Sequence, residues 1–214
     1  MKRRIMLGVF SFVVAVGFVR AQDVDDVVSR LQNRYDSLRD LSASFTQTVR
    51  FGVTRTTQTF EGKIWMKKGN KYRIELERQT IVTDGKSVWN YSELNDQVLI
   101  DKFKDDPSAF TPDKVLVNAP KNYYSTLLGK EKFDGMETIV LKLVPKDEKS
   151  LLRSIKLWVD PSDWLMKKVE LIDVSDNQTT YITREVKINS GVADSLFHFE
   201  AAPGVEVVDL RSAP

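Results

Sequence analysis

The chain has 214 residues, 32 basic and 30 acidic side chains, one histidine and no cysteine. The missing cysteine excludes disulfides, thiolate metal sites, cysteine nucleophiles and acylation at a mature N-terminal cysteine. The near balance of charge excludes a phosphate-tracking basic surface, and the length suffices for one substantial core without a disulfide staple.

Met1-Lys2-Arg3-Arg4 opens a positive segment, followed by an apolar run from Ile5 to Val19 and a small residue at Ala21. This pattern predicts an export signal over residues 1–21, cleaved after Ala21, because the run is shorter than the roughly 20 residues of a spanning helix. Lys2, Arg3, Arg4 and Arg20 would leave with it and no acid would, so the 32 basic residues fall by four, below the 30 acids. The remainder, residues 22–214, reads as one exported, soluble domain, because no linker or low-complexity stretch divides it.

Asp23 to Leu41 has helical spacing at Val24, Val27, Val28, Leu31, Tyr35 and Leu38. Asp23, Asp25 and Asp26 at its start supply a cap and complement the helix dipole. Period-two alternation follows at Leu41, Ala43, Phe45, Val49 and Phe51, then over Thr57–Lys67, where Phe60, Ile64 and Met66 share a face with Gly62 between them. Tyr72, Ile74 and Leu76 share a face of the next strand. The Asp84-Gly85 turn leads into Val88-Trp89-Asn90-Tyr91, and Gln97–Phe103 completes a meander. Pro107, Pro112 and Pro120 bracket a short helix from Thr111 or Pro112 to Asn118, carrying Val115 and Leu116.

Strands resume at Tyr123–Lys132 and Glu137–Lys146 around Asp134-Gly135, then at Leu151–Asp160, Leu165–Asp173 and Thr179–Ile188. Val205–Leu210 comes last. About ten strands, one long helix and one short helix predict an α+β fold dominated by antiparallel sheet. Two helices cannot cover so many strands tightly, so a sheet curled around them leaves an apolar cavity.

The chemistry of catalysis has little support in the residues. Gly85-Lys86-Ser87 ends like a phosphate loop, but Thr80 stands where its first glycine belongs. His198 lies in an alternating run without a nucleophile elbow, and a lone histidine beside a strand is ordinarily structural. Asp105-Asp106 beside Pro107 reads as a solvated turn. Trp65, Trp89, Trp158 and Trp164 each read as sheet packing, and only as an ensemble as a ligand surface.

Several segments, taken in order, resemble the outer-membrane lipoprotein carrier proteins, the LolA family. They are Ala43-Ser44-Phe45-Thr46-Gln47, Gly62-Lys63-Ile64-Trp65-Met66-Lys67, Ile81 to Tyr91, Phe197-His198-Phe199 and Pro203-Gly204-Val205-Glu206-Val207. The resemblance implies an incomplete, half-open β-barrel with helices as a lid over a hydrophobic cavity. It implies a periplasmic, monomeric chaperone that takes the acyl chains of lipoproteins from an inner-membrane ATP-driven transporter to an outer-membrane acceptor. It implies no enzyme activity and no cofactor. Where the family carries Arg-Pro after the tryptophan strand, with the arginine bonded to the lid, this chain has Lys68-Gly69; lid control by Lys68 would act through a point charge on a looser loop.

The expected acyl-chain contacts are Leu31, Leu41, Phe45, Val49, Phe60, Ile64, Met66, Tyr72, Ile74, Leu76, Val115 and Leu116. A triacyl anchor of roughly 45 methylenes at ~0.8 kcal/mol each carries about 35 kcal/mol of burial free energy, so it does not cross water unaided. Two rival readings stay open: an exported sensor of mislocalised lipoproteins or peptides, and a periplasmic hydrolase using His198.

Overall fold

The computed structural model describes residues 23–104 and 119–211. Helix α1 (Val24–Ser37) starts where the Asp23 side chain accepts the Asp25 amide at 3.2 Å, and an i,i+4 pair joins Asp26 to Arg30. It ends earlier than its periodicity predicts. Leu38 turns extended, the Arg39 amide is taken by the Asn189 side chain at 2.8 Å, and Asp40 already begins a strand. The helical spacing of Leu38 and Leu41 had run on into residues that pair as sheet.

Strands β1 (Asp40–Arg50), β2 (Thr57–Lys67), β3 (Lys71–Leu76), β4 (Gln79–Asp84), β5 (Ser87–Ser92) and β6 (Gln97–Lys102) form one meander. A one-turn helix α2 (Ala119–Asn122) precedes β7 (Tyr123–Phe133), β8 (Met136–Pro145), β9 (Leu152–Val159), β10 (Met166–Asp173) and β11 (Gln178–Ile188). A 3-10 turn (Asp194–Phe197) and β12 (Glu206–Asp209) complete the described chain.

The strands make one 12-stranded sheet in the order β12-β6-β5-β4-β3-β2-β1-β11-β10-β9-β8-β7. Twelve replace the expected ten or so, because β3 and β4 are joined through Glu77-Arg78 alone, a turn with no glycine, proline or asparagine to announce it. The sheet is open, with β12 and β7 at its ends. Its neighbours are antiparallel except β12, which runs parallel to β6. The half-barrel expectation therefore holds as a mostly antiparallel, unclosed sheet. The expected plural helices reduce to α1 and the single turn of α2 among the described residues.

The core lies on both faces. On the inner face α1 packs Val27, Val28 and Leu31 against Ile139, Leu141, Leu143, Ile155, Leu157 and Val169 of β8–β10. Each such side chain contributes about 1.5–3 kcal/mol when fully buried. On the outer face Val82, Trp89, Val98 and Ile100 of β4–β6 are covered by Phe199 and Val205 from the C-terminal segment. Thus β7–β10 are covered on one side, β4–β6 on the other.

Candidate functional site

Between these two covered regions, β1–β4 turn apolar side chains inward, and among the described residues α1 does not extend over them. The cross-strand register stacks Leu41 opposite Met66, Ala43 opposite Ile64 and Phe45 opposite Gly62. The rows continue through Ile74 and Leu76 of β3 to Ile81 and Gln79 of β4. Opposite this wall stand Leu165, Met166, Val169, Tyr181, Thr183 and Val186, with Tyr35 of α1 at the edge. Together they enclose a cavity of about 360 Å³.

The polar groups in the lining are largely occupied. Gln47 Nε2 donates to Tyr181 Oη at 3.2 Å, and Thr183 Oγ1 to the Met166 carbonyl at 2.8 Å. Tyr35 Oη accepts the Met166 amide at 3.2 Å, which ties the end of α1 to β10. Burial pushes the Tyr35 phenol well above its ordinary pKa, so it stays neutral. What remains facing the cavity is chiefly hydrocarbon and aromatic ring.

A second compartment of about 350 Å³ adjoins the first and shares Tyr35, Leu41 and Met66 with it. Its other walls are Asp36, Leu38, Arg39, Asp40, Lys67, Lys68, Gly69 and Asn70, so it forms a mouth with charged residues around a largely apolar surface. Burial raises the Asp40 carboxyl, but hydrogen bonds from the Ser190 amide (2.7 Å), the Ser190 hydroxyl (3.2 Å) and the Gly191 amide (3.1 Å) outweigh it and hold the group below the usual carboxylate range. Lys67 Nζ donates to the Val192 carbonyl at 3.1 Å and pairs with Asp194 at 3.1 Å, which Lys71 also reaches at 3.0 Å. The Gly69 carbonyl sits where a side chain on Gly85 would stand, and Gly85 has φ +87°, so both space and backbone demand glycine in that turn.

Residues 36–200 match the family described as outer membrane lipoprotein carrier protein LolA. The chain belongs to the LolA family. It is 29% identical over 189 residues to the outer-membrane lipoprotein carrier protein of Histophilus somni, covering 87% of this chain and 89% of that one. It is 28% identical over 213 residues to the protein of that name in Haemophilus ducreyi, covering 98% and 96%. Among solved structures, an uncharacterized conserved protein from Thermus thermophilus shares the fold with a TM-score of 0.59 at 14% identity, over 88% of this chain and 99% of the other.

Of the residues the LolA resemblance singled out, Leu41, Phe45, Ile64, Met66, Ile74 and Leu76 meet in the cavity wall. Leu31 does not: it is 0% exposed, locked beneath α1 against β8–β10, and belongs to the core. Val49, Phe60 and Tyr72 share the inner face but stand outside the cavity lining. Lys68 is exposed at the mouth. Val115, Leu116 and the proline-bracketed helix lie outside the described residues.

The far wall is not legible in the sequence. Leu165, Val169, Tyr181 and Val186 carried strand periodicity, but nothing in one sequence showed that β11 crosses over to pair with β1. Ile81 was visible as the alternate of Val82.

None of the four tryptophans lines the cavity. Trp89 is in the outer core, and Trp158 lies under Lys168 Nζ at 4.0 Å while its Nε1 donates to Glu131 at 2.8 Å. His198 packs edge-on against Trp89 at 5.2 Å, on the face away from the cavity. Among the described residues, no group of three or more His, Cys, Asp or Glu could hold a metal, and no helix is long and apolar enough to cross a membrane.

Proposed function

We propose that this protein is a periplasmic carrier that binds the acyl chains of lipoproteins in the cavity between β1–β4 and β10–β11. It accepts them from an inner-membrane ATP-driven transporter and delivers them to an outer-membrane acceptor. It does so as an exported single domain, residues 22–214, after losing residues 1–21. The observation that carries this reading is the inner face of β1–β4. It is lined by Phe45, Ile64, Met66, Ile74 and Leu76, left uncovered by α1, and opens to a mouth that carries charged residues. Membership of a family whose relatives bear the carrier name supports the same reading.

The volume bears on mechanism. At about 360 Å³ the cavity is at the small end of ligand sites, equal to about a dozen waters in the liquid. Three acyl chains need more, so cargo either extends into the adjoining compartment or parts the walls. Tyr35 is the tie between α1 and β10 that such opening would strain. An imperfectly filled cavity that must be widened releases its cargo more readily than a preformed one. Transfer by exchange between two apolar sites needs no proton or nucleophile.

Mature protein incubated with energised inner membranes bearing a lipoprotein should elute with that lipoprotein in the soluble fraction. Its passage to outer-membrane vesicles is then followed by sedimentation. A soluble fraction that never contains lipoprotein sinks the proposal. A sensor would instead alter stress signalling on deletion while lipoprotein sorting stayed intact.

A further inference from the structure

The inner-face pairs of β1 and β2 form a column: Phe45 with Gly62, Ala43 with Ile64, Leu41 with Met66. Just beyond the ends of these strands the Lys68 amide donates to the Arg39 carbonyl at 3.3 Å, which holds the two residues side by side. Both line the mouth. The hydrocarbon of Leu41 and Met66 is therefore followed at the rim by two adjacent cationic residues.

Like charges held close together repel. Among the described residues nothing relieves this pair, since neither the Arg39 nor the Lys68 side chain has a hydrogen-bond or ion-pair partner. The neighbouring charges are committed elsewhere: Lys67 to Asp194 and Val192, Asp40 to Ser190 and Gly191. Asp36, exposed on the last turn of α1, pairs with neither.

An unpaired arginine and lysine at the rim of an apolar cavity fit an anion tethered to acyl chains. A guanidinium fork beside an ammonium suits one multi-oxygen group. The mouth, at about 350 Å³, has room for a headgroup. We infer that the Arg39–Lys68 mouth binds the phosphodiester of a phospholipid whose acyl chains enter the cavity. This rests on the acyl-carrier reading and extends it to a second, anionic class of lipid.

Short-chain lipids of one acyl length test it: dioctanoyl phosphatidylglycerol, dioctanoylglycerol and octanoate, titrated into the mature protein and followed by intrinsic tryptophan fluorescence and calorimetry. Phosphatidylglycerol should bind about tenfold more tightly than dioctanoylglycerol at low salt, as two partly exposed charge contacts allow. The gap should narrow at about 0.5 M salt. In an R39Q/K68Q double variant of unchanged melting temperature, the ratio of the two affinities should fall to about one.

Equal affinity of the wild type for the two diacyl lipids would overturn the inference, as would an equal loss of both in the variant. Octanoate binding as tightly as the phospholipid would make the occupant a fatty acid and overturn the phosphodiester assignment. If neither the neutral lipid nor a triacylated lipopeptide binds, the carrier reading itself falls. If they bind and charge makes no difference, only the anion site falls.

Discussion

The ring of Phe45 occupies the space that a side chain on Gly62 would need: a Cβ there would stand 2.5 Å from Phe45 Cζ and 2.8 Å from the Glu75 carbonyl oxygen. The floor of the cavity is thus one aromatic ring seated on a bare stretch of backbone. Gly62→Ala should lift that ring into the cavity and destabilise the fold by about 1–3 kcal/mol, the usual effect of overpacking. Urea unfolding measures the stability, and acyl-lipid titration should show weaker binding.

Ile64 and Leu31 are both apolar, yet one faces the cavity and the other the packed core. Ile64→Glu should keep a cooperative unfolding transition and abolish co-elution with lipoprotein. Leu31→Ala should cost about 2–5 kcal/mol and leave binding by the folded fraction intact. Normal lipoprotein binding by Ile64→Glu would mean that the cargo lies elsewhere.

Tyr35→Phe removes the acceptor of the Met166 amide without changing the ring. The unpaired amide should cost about 1–3 kcal/mol, and amide exchange along the last turns of α1 should quicken. Burial of the same phenol predicts an alkaline limit. The folded phenol is held neutral by burial while the unfolded one ionises near pH 10, so its contribution is intact below pH 10 and declines above it.

Asp40 gives the opposite dependence. Its folded pKa is depressed below the unfolded value near 3.9, so its stabilisation is present above that pH and is lost as pH falls through the folded value. Asp40→Asn should destabilise by about 1–3 kcal/mol at pH 7, since one of the two acceptor oxygens becomes an NH2 that faces the Ser190 or Gly191 amide. The difference from wild type should shrink steadily in urea titrations below about pH 4.

His198→Ala should leave lipoprotein transfer unchanged, because the imidazole touches Trp89 on the outer face. Phe197→Ala, three atoms of backbone away, should cost about 3–5 kcal/mol, because that ring is 1% exposed and anchors the C-terminal segment. Loss of transfer in His198→Ala at full stability would revive a hydrolytic reading.

The local half of this structure was legible in the sequence. Period-two runs placed Leu41 through Phe45 and Phe60 through Met66 on strands, Asp23 capped its helix, and Asp134-Gly135 closed its hairpin with both residues at positive φ. The near wall of the cavity followed from those runs. The far wall did not, because Tyr181 and Val186 reach it through a pairing between β1 and β11 separated by most of the chain. Helix length failed where two periodicities overlapped at Leu38 and Leu41. Leu31 was misplaced because periodicity says which face of a helix is apolar and not what that face meets.

Because α1 covers β8–β10 and stops short of β1–β4, one continuous apolar surface is divided between two kinds of constraint. Under the helix, a substitution is judged by packing. Beyond it, the same substitution is judged by what the cavity must hold and release. A mutational scan scored separately for abundance and for transfer should therefore split along the sheet. Such a boundary leaves the cargo wall free to diverge while the fold persists, a route by which one scaffold can acquire new lipids without first becoming unstable.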